Sequence, residues 1–430
     1  MALNKTFFTD EYFNSPEALV EDTIHKYEEY VNPSVARLFR FMGLGTVEWE
    51  GQGTVIRDVQ GKEYLDCLGG YGVFNVGHGH PRIVEAVRQQ LERMPLGAKV
   101  FFSRPMAQLA QLLAEITPGD LRYSFFCNSG TEAVEGALKL ARLHTGRGKI
   151  IAARNSFHGK TLGALSATGR DIFRQPCEPL LPGFVHVPFG DAEAVEKVMD
   201  YNTAAVIVEP IQGEGGIIIP PVDYLGRLRE ICDGHGALLI FDEVQTGIGR
   251  TGKMFAADHY GVVPDIMTLA KALGGGVMPL GALIARPQVW DVFETSPFLH
   301  TSTFGGNPLA CTAGVATIQV VIEENLAEKA HLHGQYFLQK LKALESKYPN
   351  VVTEARGIGL LMGLELTREG MGGLVMAELI DAGIIAAYTL NNPKVIRLEP
   401  PLIITLSEID RVVAVLDKAL AKADEIREEM

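Results

Sequence analysis

Between about residues 80 and 320 the chain alternates two kinds of apolar pattern. PRIVEAVRQQLERM (81–94) opens with Pro at a first helical position and repeats apolar residues at helical intervals. Residues 130–145 place Val134, Ala137, Leu138 and Ala141 on one helical face, and 223–235 reads as another helix. Between such stretches lie compact apolar runs: YSFFC (123–127), KIIAA (149–153), FVHV (184–187), AAVIVE (204–209), ALLIFD (237–242), DIMTLA (265–270) and GALIA (281–285). Runs that are apolar throughout, rather than at alternate positions, suit strands of a parallel sheet covered on both faces.

After GGNPLA (305–310) the pattern changes to long helical stretches over roughly 311–347, then mixed strand and helix signals, then a charged helix near 407–428. The expected architecture is α/β: a large, mainly parallel-sheet domain over 80–320 and a smaller α+β domain over 321–430. The N-terminal segment, 1–79, is expected to join the smaller domain. Neither an internal repeat nor a long Pro- or Ser-rich linker is evident.

Composition narrows the function. The 430 residues are 47% hydrophobic and 21% charged, which suits a globular chain with a large core. The net charge of −13 argues against a broad face for nucleic acid. No apolar run approaches the roughly 20 residues of a membrane helix. Seven acidic residues in the first thirty, from Asp10 and Glu11 to Glu28 and Glu29, do not suit a signal or transit peptide. Cys67, Cys127, Cys177, Cys232 and Cys311 lie at least 50 residues apart with no CxxC pair. That spacing is neither a disulfide framework nor a zinc site and fits the cytoplasm.

Two glycine-rich matches point elsewhere and fail. GIGRTG (247–252) satisfies G-x-G-x-x-G, and with Lys253 most of a P-loop, but position 254 is Met where a Ser or Thr would hold magnesium. Pro264 and a further strand signal arrive too soon for the helix of a dinucleotide fold. A flexible loop is the expectation here.

Strand ends offer a better constellation. Asp242 closes ALLIFD and Lys271 follows DIMTLA, so an acid and an amine share the carboxyl edge of a parallel sheet, where ligands bind. Either alone reads as a cap or a surface ion pair. NSGTEA (128–133) sets Gly130 and Thr131 at a helix N-terminus, which suits a phosphate, although Ser129 and Glu132 also spell a capping box. In SFHGKT (156–161), Phe157 is either core or a face for a planar ring. Amine, carboxylate, phosphate cradle and aromatic together describe pyridoxal 5′-phosphate (PLP), whose aldehyde needs a lysine and whose ring nitrogen needs a carboxylate.

The ordered motifs NSGTEA, SFHGKT, EPIQGEGG (209–216), FDEVQTGIGRTG (241–252), TLAKALGGG (268–276) and HTSTFGGNPLAC (300–311) resemble the class III aminotransferases, over about residues 45–405. That resemblance implies the aspartate-aminotransferase type of PLP fold, fold type I. YSFFCNSGTE, FHGKTLGALSAT, PLLPGFVHVPFGD and DCLGGYGVFNVGH look most like the members that use the diamine putrescine.

By position, the resemblance implies that Lys271 is the Schiff-base lysine, Asp242 the partner of the pyridine nitrogen and Gln245 the contact to the ring hydroxyl. Val244 and Phe157 would sandwich the ring, with His158 nearby. Gly130 and Thr131 match the phosphate-binding pair, and Thr303 a threonine supplied from the neighbouring subunit of a homodimer or dimer of dimers. Arg397, in VIRLEPP, matches the arginine that takes a substrate carboxylate, and Glu214 the glutamate that pairs with it when the donor has none. The implied reaction is ping-pong transfer from an amine to an oxo acid, with Lys271 moving the proton.

One departure bears on the donor. Ornithine and acetylornithine members usually carry Arg in the HGRT position, where this chain has Lys160. An ammonium lacks the bidentate fork that grips a carboxylate, so a diamine fits better. The alternatives are an ornithine, acetylornithine or other omega-amine aminotransferase, and, further off, a PLP enzyme that does not transaminate or a non-catalytic binding protein.

Overall fold

The structure, a computed structural model, describes residues 15–427. Asp10, Glu11 and the rest of residues 1–14 lie outside the described residues, as does position 428 of the expected last helix.

Three antiparallel strands, β1 (Glu48–Gln52), β2 (Val55–Asp58) and β3 (Glu63–Asp66), follow two helices, Pro16–Lys26 and Pro33–Phe41. The central sheet comprises β4 (Tyr123–Cys127), β5 (Lys149–Ala153), β6 (Phe184–Val187), β7 (Thr203–Val208), β8 (Leu238–Asp242), β9 (Ile266–Leu269) and β10 (Gly281–Ala285). Its order is β4-β10-β9-β8-β7-β5-β6. All seven apolar runs form strands of this one sheet. Residues of β7 to β10 are buried along their whole length, as packing on both faces requires.

Two expectations change here. β10 runs antiparallel to both neighbours, because the 270–280 connection holds only a short turn and no crossover helix. Continuous apolarity reports burial and is blind to strand direction. β4 is the sheet's edge, and its first residue, Tyr123, is exposed. Since β10 reverses on both sides, β4 still points the same way as β9, and its carboxyl end falls on the edge that carries Asp242.

The helix Gly130–Thr145 buries Val134, Ala137, Leu138 and Ala141 against the sheet. Its cap departs from the expected box. Ser129 Oγ accepts from the Glu132 amide, but Glu132 Oε2 accepts from the Asn128 amide, one residue before the cap.

A second four-stranded sheet combines β11 (Val352–Ile358), β12 (Leu361–Leu366), β14 (Ala387–Tyr388) and β15 (Val395–Leu398), all antiparallel, in the order β11-β12-β15-β14. Helices Leu326–Lys347 and Leu406–Glu425 pack on each other beside it, the latter opened by a full capping box between Thr405 and Glu408. The short β13 (Ile384–Ile385) leaves that region and pairs in parallel with β3, so the N-terminal ladder is hydrogen-bonded to the C-terminal part of the chain.

The GIGRTG segment is no flexible loop. Residues 247–252 are buried, and Arg250 is 0% exposed. Its guanidinium donates to the Leu360 and Pro400 carbonyls at 2.9 and 2.6 Å and to Asn75 Oδ1 at 2.7 Å, stitching the central sheet to the second one. No helix opens at these glycines, which removes the dinucleotide reading as well.

Candidate active site

The carboxyl ends of β4, β5, β7, β8 and β9 converge on a cavity of about 530 Å³, within the range of small-molecule sites. Gly130, Thr131, Phe157, His158, Glu214, Asp242, Val244, Gln245 and Lys271 all line it. Residues from five separate segments are thus brought to one place.

Asp242 is 4% exposed at the end of β8. Its Oδ2 lies 2.7 Å from His158 Nδ1, and its Oδ1 accepts from Thr268 Oγ1 at 3.1 Å and the Val244 amide at 3.2 Å. Three partners fix the carboxylate's plane, while His158 Nε2 is buried without one.

Lys271 follows β9 with a positive φ of 47°, a backbone conformation rare outside glycine, and so turns sharply out of the strand. Its Nζ donates to Gln245 Oε1. Burial pulls the amine below its ordinary range, against the opposing pull of Glu399 and Glu214.

Gly130 and Thr131 open the sixteen-residue helix Gly130–Thr145 towards the cavity. A Cβ at Gly130 would come within 2.9 Å of Val244 Cγ1, so only glycine leaves this wall its present shape. Thr131 Oγ1 lies 2.7 Å from Thr161 Oγ1.

Arg397, on β15, is fully buried and is not among the residues that line the cavity; it meets the site through Glu214, which does line it. Its Nη1 donates to Glu214 Oε1 at 2.7 Å, while the Leu390 amide donates to Glu214 Oε2. Burial alone would raise the Glu214 carboxyl; Arg397 and Lys271 outweigh it and hold the group below its ordinary range. Lys160 is exposed and sets its ammonium 4.6 Å from the Phe173 ring centre and 6.0 Å from that of Phe157.

Three residues in the cavity wall or buried behind it escaped the sequence reading. Glu209, which begins EPIQGEGG, accepts from the Phe157 and Gly213 amides at 3.0 Å each, and burial pushes its carboxyl up to about 7. Glu399 stands two positions beyond Arg397, a spacing that puts both on one side of an extended chain. It accepts from Gln245 Nε2. Arg250 hid inside the glycine-rich match. The motifs already quoted contained all three; what they lacked was a partner in view.

Thr303 lies farther off than any other expected site residue: Arg397 stays one ion pair behind the cavity lining, but Thr303 is elsewhere. It is exposed and lines a different cavity, of about 1560 Å³, beside Leu96, Phe101, Phe102, Phe298 and Phe304. Within one chain it does not join Lys271.

The residues present fit PLP. A desolvated amine, an anchored carboxylate, a helix N-terminus and the side chains of Phe157 and Val244 share one cavity, with Gln245 beside the amine.

The family model described as aminotransferase class-III matches residues 44–420. A putrescine aminotransferase from Pectobacterium atrosepticum is 51% identical over 419 residues, covering 94% of this chain and 90% of its own. The crystal structure of the ornithine aminotransferase from Toxoplasma gondii superposes with a TM-score of 0.88 at 35% identity, covering 94% of this chain and 96% of its own. A second structure of that enzyme, crystallised with oxidised glutathione and with partial occupancy of PLP at its active site, gives 0.85 at 34% identity over 97% and 100% of the chains.

Proposed function

Because the chain belongs to the class III aminotransferases, PLP-dependent enzymes that pass an amino group from an amine to an oxo acid, we propose that its donor is a diamine. Putrescine is the first choice, cadaverine the second, and 2-oxoglutarate or pyruvate the acceptor. The observation that carries the donor assignment is the 2.7 Å ion pair of Arg397 with Glu214, a residue that lines the cavity. The guanidinium that would take a donor's carboxylate is already paired with Glu214, and a donor without a carboxylate need not break that pair. The putrescine aminotransferase at 51% identity supports the same reading.

Bound PLP supplies an electron sink for the donor carbon that loses its proton. Lys271 and Asp242 are the catalytic pair. Lys271 would hold the cofactor and, with burial weakening its hold on a proton, would move the proton at the donor's amine-bearing carbon. Asp242, oriented by His158, Thr268 and the Val244 amide, would hold the ring nitrogen. Gln245 would take the ring hydroxyl, Val244 and Phe157 the two ring faces, and Gly130 and Thr131 the phosphate. When the oxo acid follows, its carboxylate takes Arg397 as Glu214 withdraws.

The second reading, an ornithine-type or other omega-amine donor, draws on the Toxoplasma gondii enzyme at TM-score 0.88. Lys160 weighs against it, since its ammonium packs against two aromatic rings and has no fork for a carboxylate.

A homodimer completes the site in this account. Phe101, Phe102 and Phe298 are each more than three-quarters exposed around the cavity that Thr303 lines. An apolar patch of this kind suits a second copy, whose active site Thr303 would serve. The cytoplasm is the proposed location: all five cysteines are free, as a reducing compartment keeps them.

The test is a donor panel of putrescine, cadaverine, spermidine, ornithine, acetylornithine and 4-aminobutyrate against both oxo acids. Putrescine should exceed ornithine in kcat/KM. An ornithine preference would replace the first reading with the second.

A further inference from the structure

Glu399, fully buried just past β15, is surrounded by cations and one amide. Its Oε1 accepts from Gln245 Nε2 and lies 3.4 Å from Arg250 Nε. Its Oε2 lies 3.6 Å from Arg397 Nε, without a hydrogen bond. The Glu399 amide donates to the Cys67 carbonyl at 2.7 Å, which fixes the backbone beneath the side chain. A carboxylate only accepts, so it selects the NH₂ end of the Gln245 amide and turns the carbonyl end outward. That carbonyl oxygen is the acceptor for Lys271 Nζ. Gly72 closes the arrangement from the side: a Cβ there would fall 2.7 Å from both Gln245 Nε2 and Glu399 Oε1.

We propose that Glu399 is a positioning residue for the reacting lysine, acting through Gln245. By dictating which end of that amide faces Lys271, it sets where the amine rests and how firmly its nitrogen keeps a proton. The inference rests on the assignment of Lys271 to the cofactor. It adds a buried residue that does not touch the cavity, joined through Arg397 to the end of the site that reads the substrate. Four groups bear on the charge of Lys271: Glu399, Glu214 and Asp242 favour the protonated amine, and Arg397, together with burial, opposes it. Glu399 is the strongest of the three acids in this respect. Around Glu399 itself the facing charges are Arg250 and Arg397.

The experiment is a pH titration of the holoenzyme's visible absorption, which follows the proton on the Lys271 nitrogen without turnover. Glu399→Gln removes the charge and lets the Gln245 amide face either way, so the midpoint should fall by about one pH unit. Gln245→Met removes the acceptor and should also lower it. If Glu399 acts through Gln245, the double variant falls little further than the larger single change. Should Glu399→Gln not fold, Glu399→Asp, which keeps the charge and withdraws it from the amide, takes its place in the cycle with a smaller fall.

An unchanged midpoint in the Glu399 variant, with borohydride still fixing the cofactor to Lys271, would overturn the positioning role and leave the proposed function standing. Fully additive shifts would overturn the route through Gln245. Cofactor fixed to another lysine would take down both readings.

Discussion

His158 Nδ1 lies 2.7 Å from Asp242 Oδ2, with both residues 4% exposed or less. The contact ties the loop after β5 to the end of β8 and holds the carboxylate against rotation. Asp242→Asn keeps the shape and removes the charge. It should fold and bind PLP yet lose on the order of a thousandfold in turnover, because the ring nitrogen loses its anionic partner. Single-turnover rates with a diamine donor check this, and near-normal rates would make Asp242 structural.

Gly130 is the next constraint. A side chain there meets Val244 at 2.9 Å, on the wall that is assigned to the cofactor's ring and phosphate. Gly130→Val should weaken PLP binding about tenfold or more while the helix Gly130–Thr145 persists. Titration of the full-length apoprotein with PLP measures the first effect and circular dichroism the second.

The meeting of Asp242 and Lys271 at one cavity was legible in the sequence because its elements are local. Asp242 ends an unbroken apolar run and Lys271 follows another, so strand ends alone put them on one edge. What the sequence could not carry is pairing at long range. Glu399 meets Gln245 across 154 positions and Arg397 meets Glu214 across 183. The resemblance supplied the second of these; nothing supplied the first. Strand direction was illegible at β10 because buried strands of either direction are apolar throughout. The burial of GIGRTG was hidden for a different reason: glycines read as freedom, whereas Arg250 within the segment is tied to three acceptors.

Glu209 gives a pH dependence with a definite sign. Its carboxyl is raised to about 7 in the folded chain, from 4.5 for an unperturbed group. Between those values the folded state binds the extra proton, so the Glu209 contribution to stability falls as pH rises from about 4.5 to 7 and then levels off. In Glu209→Gln, which does not titrate, the decline in unfolding free energy between pH 5 and pH 8 should shrink by about 1–3 kcal/mol. Urea unfolding across that range tests it, and an unchanged decline would remove Glu209 as the source.

Shared sites predict complementation. A Lys271→Ala chain and a Thr303→Glu chain should each be inactive alone. Mixed and allowed to exchange, they form heterodimers in which one site has an intact lysine and an intact partner threonine, so activity should return. Heterodimers without activity, or active protein that runs as a monomer, would contradict the shared site.

The most direct test of the whole account is where the cofactor attaches. Holoenzyme reduced with borohydride, digested and mapped by mass spectrometry should carry the pyridoxyl group on Lys271 and on no other lysine, and putrescine added first should release it from that residue. A label on any other lysine, or a label on Lys271 that putrescine does not displace, would contradict the account.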